Sequence, residues 1–83
     1  MGGYTDVDPQ QLSQMSNDAN FASVQKLARE AYRAENNGEL GNLISVSQQV
    51  VSGINYKMVF QTENGEYEVV VYCQPWTNTV QVL

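Results

Sequence analysis

The sequence predicts an α+β domain in which one long helix packs on a four- to five-stranded antiparallel sheet. Apolar residues recur at helical spacing between positions 24 and 32, and from residue 43 onward they alternate as in strands. Two turn signals, Asn64-Gly65 and Pro75-Trp76, divide this second region into segments of strand length. A chain of 83 residues is sufficient for one such domain, spanning residues 1–83, with the helix covering one face of the sheet.

The helical region is predicted to begin with a capped turn. Asp8 is a suitable N-cap and Pro9 a suitable first helical residue, and one apolar turn follows before Ser16-Asn17-Asp18 offers a second cap. The long helix then runs to Asn36-Asn37-Gly38, a sequence typical of helix ends. Its apolar stripe consists of Val24, Leu27, Ala28, Ala31 and Tyr32.

Four strands are predicted after the helix, joined as a meander. Residues 43–51 are rich in β-branched side chains, residues 55–62 and 67–73 alternate in polarity, and residues 79–83 form a last strand. Asn64-Gly65 is the strongest short hairpin signal in the chain. Residues 4–7 could add a first strand at an edge. Cys73 falls on an alternating apolar position and is expected to pack as a small apolar residue.

Composition argues against several kinds of partner and activity. The net charge is −5 with four Lys and Arg residues and no histidine, so neither nucleic acid nor an anionic membrane surface is an expected partner. No apolar run approaches the ~20 residues of a membrane span. Met1-Gly2-Gly3 does not resemble a signal peptide, and secreted and cytoplasmic locations both stay open.

The sequence shows no pattern of residues typical of a catalytic site. Cys73 is the single cysteine, which rules out an internal disulfide, and no histidine is present to activate its thiol. The sequence has no Gly-rich phosphate loop and no metal-ligating constellation, and Glu63, Glu66 and Glu68 read as solvated charge around a hairpin. We therefore expect no enzyme activity, no catalytic or metal-ligating residue and no cofactor.

One end of the predicted sheet is unusually apolar. Val50 and Val51 stand at a reversal where Asn, Asp or Gly would be more usual, and Gly53 can supply the positive φ that the reversal needs. Alternate turns of a meander emerge at the same end, so this reversal should lie beside Pro75-Trp76. Exposed apolar turns of this kind indicate docking. The alternative is an ordinary hairpin with buried valines, and a Trp76 that closes the core.

The order and spacing of these segments resemble those of the cystatin superfamily over essentially the whole chain. Gln49-Val50-Val51-Ser52-Gly53 matches the family's Gln-x-Val-x-Gly loop, and Pro75-Trp76 matches the second-hairpin Pro-Trp of its secreted and plant branches. Gly2-Gly3 resembles the glycine before the family's first strand. The helix segment of residues 27–32 only partly matches the plant signature, and the single cysteine departs from the secreted animal branch, so the subfamily stays open.

The resemblance implies a cystatin-like domain that is a reversible, tight-binding competitive inhibitor of papain-like cysteine proteases such as papain and the cathepsins. It implies that three segments contact the protease cleft. The first segment consists of Gln49, Val50, Val51, Ser52 and Gly53, the second of Pro75 and Trp76, and the third of the N-terminal Gly2 and Gly3. Gly53 would keep the backbone thin, and Gly53→Glu is expected to block entry without unfolding the domain.

Three further expectations accompany this reading. The active species is a monomer, and the valines are expected to be strained at the hairpin, whose opening would give a domain-swapped dimer without the inhibitory loop. Ser16-Asn17-Asp18 resembles a legumain-inhibiting motif but precedes the main helix, so it is read as a cap and not as a second site. The alternatives to full inhibition are a non-inhibitory interaction module on the same scaffold, and an inhibitor weakened by a short N-terminal arm.

Overall fold

A computed structural model describes residues 3–83 and has the element order strand, two helices and four strands. All neighbouring strands are antiparallel and lie in sequence order in a single sheet, β1-β2-β3-β4-β5. The elements are β1 (Thr5–Asp6), α1 (Pro9–Met15), α2 (Ala19–Glu35), β2 (Leu43–Val51), β3 (Gly53–Thr62), β4 (Gly65–Gln74), a 3-10 turn (Pro75–Thr77) and β5 (Thr79–Val82). The α+β class and the five-stranded antiparallel sheet agree with the sequence prediction.

The helical region differs from the prediction of one long helix, because it contains two. The seven-residue α1 is capped by the Asp8 carboxylate, which accepts a hydrogen bond from the Gln11 amide at 2.8 Å. The 17-residue α2 is capped by Asp18, which accepts from the Phe21 amide at 3.4 Å. Both caps were expected, and each satisfies an otherwise unpaired amide at a helix start.

The end of α2 is at the predicted place, but the residue that caps it is Asn36 and not a glycine. Asn36 leaves the helix in an extended conformation, and its side-chain amide donates to the Tyr32 carbonyl at 3.1 Å. A helix ending on a left-handed glycine would have used Gly38 instead. No helix within residues 3–83 has both the length and the hydropathy needed to cross a bilayer.

The core lies between α2 and one face of the sheet. Phe21 packs edge-on against Tyr56, with ring centroids 5.3 Å apart. The predicted helical stripe missed Phe21, which lies one turn before Val24 on the same face and is fully buried. Cys73 is buried as expected. The buried apolar side chains of this core are Phe21, Val24, Ala28, Leu40, Val46, Tyr56, Met58, Phe60, Val69, Val71 and Cys73.

Three tight reversals connect the strands β2, β3, β4 and β5. β2 and β3 turn at Ser52, with Val51 opposite Gly53. β3 and β4 turn through Glu63 and Asn64 at the other end of the sheet, with Gly65 at φ +114°. β4 returns to β5 through the 3-10 turn, followed by Asn78 in the left-handed region at φ 55°. The first and third reversals therefore lie at the same end, as the meander predicts.

Candidate functional site

The two apolar reversals are in direct contact, which confirms the predicted arrangement. The Gln74 side-chain amide, at the start of the second reversal, donates to the Ser52 carbonyl oxygen at 2.9 Å. The same nitrogen lies 3.3 Å from the Ser52 hydroxyl oxygen. The β2–β3 reversal and the β4–β5 reversal thus form one continuous end of the sheet.

The side chains at this end project into solvent. Val50 is 73% exposed, Val51 45% and Trp76 70%. The alternatives of a hairpin with buried valines and of a Trp76 that closes the core are therefore wrong. We call Val50, Val51, Ser52, Pro75 and Trp76 the rim; all five are exposed.

The rim is apolar and uncharged. Residues 48–53 and 74–79 contain no Asp, Glu, Lys or Arg, although the chain carries thirteen such residues, nine acidic and four basic. Glu63 and Glu66 lie at the opposite end of the sheet, at the β3–β4 reversal. An exposed apolar patch on a small acidic protein costs solvation free energy that contact with a partner would recover.

The rim is also separate from three concavities in the surface of residues 3–83. Three surface concavities lie on the outer face of α2, between α1 and β2, and beside Asn36, Asn37 and Gly38. None of these three is lined by a rim residue. A projecting apolar edge is suited to entering a partner's cleft, whereas it is not suited to enclosing a small ligand.

The two valines are not strained. Both lie inside β2, where Val50 is opposite Ile54 and Val51 is opposite Gly53. Among the non-glycine residues of the described chain, only Asn78 has a positive φ. The expectation of strain at the valines is therefore wrong, because extended backbone is the geometry that β-branched residues favour.

Gly53 has the positive φ that the reversal was expected to need. It is also crowded by β4, which the sequence did not indicate. Its φ is +117°, and a Cβ atom there would lie 2.7 Å from the Cys73 carbonyl oxygen. Gly53 is buried against β4 and does not face outward with the valines. Any side chain at position 53 disturbs the hairpin itself, contrary to the expectation that Gly53→Glu acts on docking alone.

Gln49 is hydrogen-bonded across the β2–β3 hairpin. It lies directly opposite Asn55 in the β2–β3 ladder, and the Asn55 side-chain amide donates to the Gln49 side-chain oxygen at 3.1 Å. Gln49 is half-buried at the base of the rim. This cross-strand bond holds the two strands together immediately below the exposed valines.

The second reversal is held by its own short-range bonds. The Asn78 amide donates to the Pro75 carbonyl at 2.9 Å, and the left-handed backbone of Asn78 lets the chain enter β5. The Thr77 hydroxyl donates to the Gln74 side-chain oxygen at 2.7 Å and lies 2.8 Å from the Thr79 hydroxyl. Trp76 therefore projects from a loop whose backbone is fixed on both sides.

The N-terminal segment leads to the same end of the sheet. Thr5 is opposite Gln48 in the antiparallel β1–β2 pair, so the residues before Thr5 run toward Val50. The Lys57 ammonium lies 4.2 Å above the Tyr4 ring and holds that segment on the sheet. Gly3 is exposed, with open space around it, and Gly2 lies outside the described residues.

Sequence reasoning missed Tyr72 and Gln74, which support the rim from β4. The Tyr72 hydroxyl donates to the Ser52 carbonyl oxygen, and Gln74 donates to the same atom. Tyr72 precedes the buried Cys73 in β4 and so lies on the other face of the sheet, but only the tertiary structure shows that it reaches the apex of the β2–β3 hairpin. No local sequence signal carries that information.

Titratable groups that depart from ordinary behaviour lie in the core and away from the rim. Burial raises the pKa of the Cys73 thiol, and the negative charge of Asp18 raises it further. Burial also raises the pKa of Tyr56, with smaller contributions from Cys73 and Asp18. Within residues 3–83, no group of three or more His, Cys, Asp or Glu side chains is placed to hold a metal ion.

Comparison with known proteins gives no match to this chain among family models, curated proteins or solved structures.

Proposed function

We propose that this protein is a reversible, tight-binding competitive inhibitor of papain-like cysteine proteases, with a cystatin-like arrangement of its domain. The observation that carries the proposal is the rim, where the Gln-x-Val-x-Gly loop and the Pro-Trp loop lie side by side with their apolar side chains in solvent. Two motifs that are far apart in sequence meet at one end of the sheet. Their meeting supports a shared docking role.

In this proposal the rim enters the protease cleft as a wedge. Val50, Val51 and Ser52 occupy the cleft near the catalytic cysteine, and Trp76, braced by Pro75, covers the primed side. Gly2 and Gly3 lie over the non-primed side, which the direction of β1 supports. Affinity comes from removing apolar side chains from water on a frame that is already ordered.

The wedge blocks the protease without becoming its substrate. A scissile peptide must present an extended backbone and an accessible carbonyl to the nucleophile. At the apex of the wedge the Ser52 carbonyl is instead taken by Tyr72 and Gln74 of the same molecule. The inhibitor should therefore dissociate intact, and slowly, because its dissociation rate sets most of its affinity.

The test is a titration of papain, cathepsin L, cathepsin B and legumain with the purified protein. The proposal predicts inhibition of the papain-like enzymes at nanomolar concentration or below, and no inhibition of legumain. Weak inhibition of papain would instead favour the alternative of a weakened inhibitor. Absence of inhibition across the panel would favour a non-inhibitory interaction module on the same scaffold.

A further inference from the structure

We propose that Tyr72 and Gln74 are positioning residues that clamp the β2–β3 reversal to the β4–β5 reversal, so that the two halves of the rim dock as one body. The proposal rests on the proposed function for its effect on inhibition. The clamp itself is a property of the free protein and can be measured without a protease.

The clamp closes on a single atom, the carbonyl oxygen of Ser52. A carbonyl oxygen has two lone pairs and can accept two hydrogen bonds, and here it accepts from both the Tyr72 hydroxyl and the Gln74 amide. Both donors come from β4, the strand that continues into the Pro75–Trp76 reversal. The apex of one loop is therefore bonded to the stem of the other.

The orientation of the Gln74 amide is fixed by its surroundings. The Ser52 carbonyl oxygen can only accept, so the side-chain atom 2.9 Å from it must be the nitrogen. The side-chain oxygen then faces the Thr77 hydroxyl, which donates to it at 2.7 Å. Thr77 belongs to the second reversal, so the chain of bonds runs from Ser52 through Gln74 into the loop that carries Trp76.

Gly53 leaves the room that the clamp needs. A Cβ atom at position 53 would lie 2.9 Å from both Cε1 and the hydroxyl oxygen of Tyr72. With a larger residue, the Tyr72 ring could not reach the Ser52 carbonyl along its present path. The hydrogen bond from Tyr72 to Ser52 therefore depends on a glycine at position 53.

The clamp lowers the cost of docking. Two independent loops would each lose conformational freedom when they met a partner, whereas a joined pair has lost it during folding. Loosening the clamp should therefore weaken inhibition while the core, which lies on the other face of the sheet, stays intact.

The test uses Tyr72→Phe, Gln74→Met and the double variant, which remove the donors and keep the side-chain volume. Matched controls are Tyr67→Phe, at the other end of β4, and Gln61→Met, whose amide donates to the adjacent Thr62 carbonyl at 3.1 Å. Each clamp variant is expected to raise the papain inhibition constant about three- to tenfold, the effect of one lost hydrogen bond, and the double variant more. The control variants should match the parent.

A second readout separates the clamp from a general loss of stability. We expect faster amide hydrogen exchange and larger backbone fluctuations by ¹⁵N relaxation at Val51, Ser52 and Gly53 in the clamp variants, with core amides and the melting temperature close to those of the parent. Parent-like exchange at these residues in the double variant would overturn the clamp. If the parent inhibits papain, a double variant with the same inhibition constant would also overturn the clamp. A parent that fails to inhibit papain would count against the proposed function alone, because the exchange measurement still decides the clamp.

Discussion

The Tyr72 side chain occupies the space that a Cβ atom on Gly53 would need. The distances from that Cβ position to Tyr72 Cε1 and to the hydroxyl oxygen are both 2.9 Å, and the Cys73 carbonyl oxygen is closer still, at 2.7 Å. Gly53 also has a φ of +117°, which disfavours any L side chain. The glycine that ends the first loop is therefore required for intramolecular reasons, before any partner is considered.

Three Gly→Ala substitutions separate the effect of the positive φ on stability from the effect of steric crowding. Gly53 combines a positive φ with crowding, Gly65 has φ +114° with nothing within 4 Å, and Gly38 has open space and no such φ. Gly38→Ala should change the free energy of unfolding by less than about 1 kcal/mol. Gly65→Ala should cost about 1–3 kcal/mol from backbone strain, and Gly53→Ala should cost that amount plus about 1–3 kcal/mol of steric overlap. Urea unfolding measures all three, and equal costs at positions 53 and 65 would contradict the crowding.

Trp76 is expected to supply binding energy without supplying stability. Trp76→Ala should weaken papain inhibition by about 2–4 kcal/mol, as for an aromatic hot spot, while the melting temperature stays near that of the parent because the side chain is 70% exposed. Leu83→Ala is the matched control, since Leu83 is 67% exposed but lies beyond the far end of β5. Inhibition constants for the two variants decide the matter. An equal effect of both substitutions would show that general apolar exposure, and not the rim, governs binding.

Only the monomer is expected to inhibit papain. A domain-swapped dimer that opens at Ser52 would merge β2 and β3 into one strand, and the Ser52 carbonyl would leave Tyr72 and Gln74. Mild heating followed by size-exclusion chromatography, with a papain assay on each peak, measures this. Any dimer should be inactive, and a dimer with full inhibition would refute the role of the closed hairpin.

The core thiol should be protected and should make the fold sensitive to alkali. Burial, and then the charge of Asp18, raises the pKa of Cys73 above its ordinary value of 9.0, so little reactive thiolate forms at pH 8. Iodoacetamide should alkylate the folded protein more than about tenfold more slowly than the urea-unfolded chain. Equal rates in the two states would contradict this environment.

The same shift predicts the direction of the pH dependence of stability. The folded state holds the Cys73 proton more tightly than the unfolded state, so this contribution to stability is complete below pH 9.0 and is lost as pH rises through the raised pKa. Tyr56 acts in the same direction above its ordinary value of 10.0. Thermal unfolding at pH 8 and pH 10.5 should show the loss, and Cys73→Ala should reduce it.

Much of the fold followed from local sequence signals. Asp8 and Asp18 cap helices as expected, because an N-cap depends on few neighbours. The meander placed the two apolar reversals together, since alternate turns of consecutive antiparallel strands must share an end. Ser16-Asn17-Asp18 marks the break between α1 and α2, but α1 has only seven residues and one apolar turn, so the sequence gives only a weak signal for a separate helix.

The details of the rim depended on tertiary register. Whether Val50 lies in a strand or at a tip depends on where the β2–β3 ladder ends, and the ladder continues to Val51 and Gly53. The contacts of Tyr72 and Gln74 with Ser52 join residues that are 20 and 22 positions apart. Such contacts leave no periodic pattern in the chain, which is why the sequence pointed to the loops but not to their support.

The central claim, that the rim fills the protease cleft, is tested most directly by calorimetric titration of papain in two forms. One form has a free cleft, and in the other a covalent peptide inhibitor fills the cleft and caps the catalytic cysteine. The account predicts 1:1 binding at nanomolar affinity or tighter to the free form, and a loss of at least about a thousandfold for the filled form, about 4 kcal/mol of binding free energy. Equal binding to both forms, or binding to neither, would contradict it.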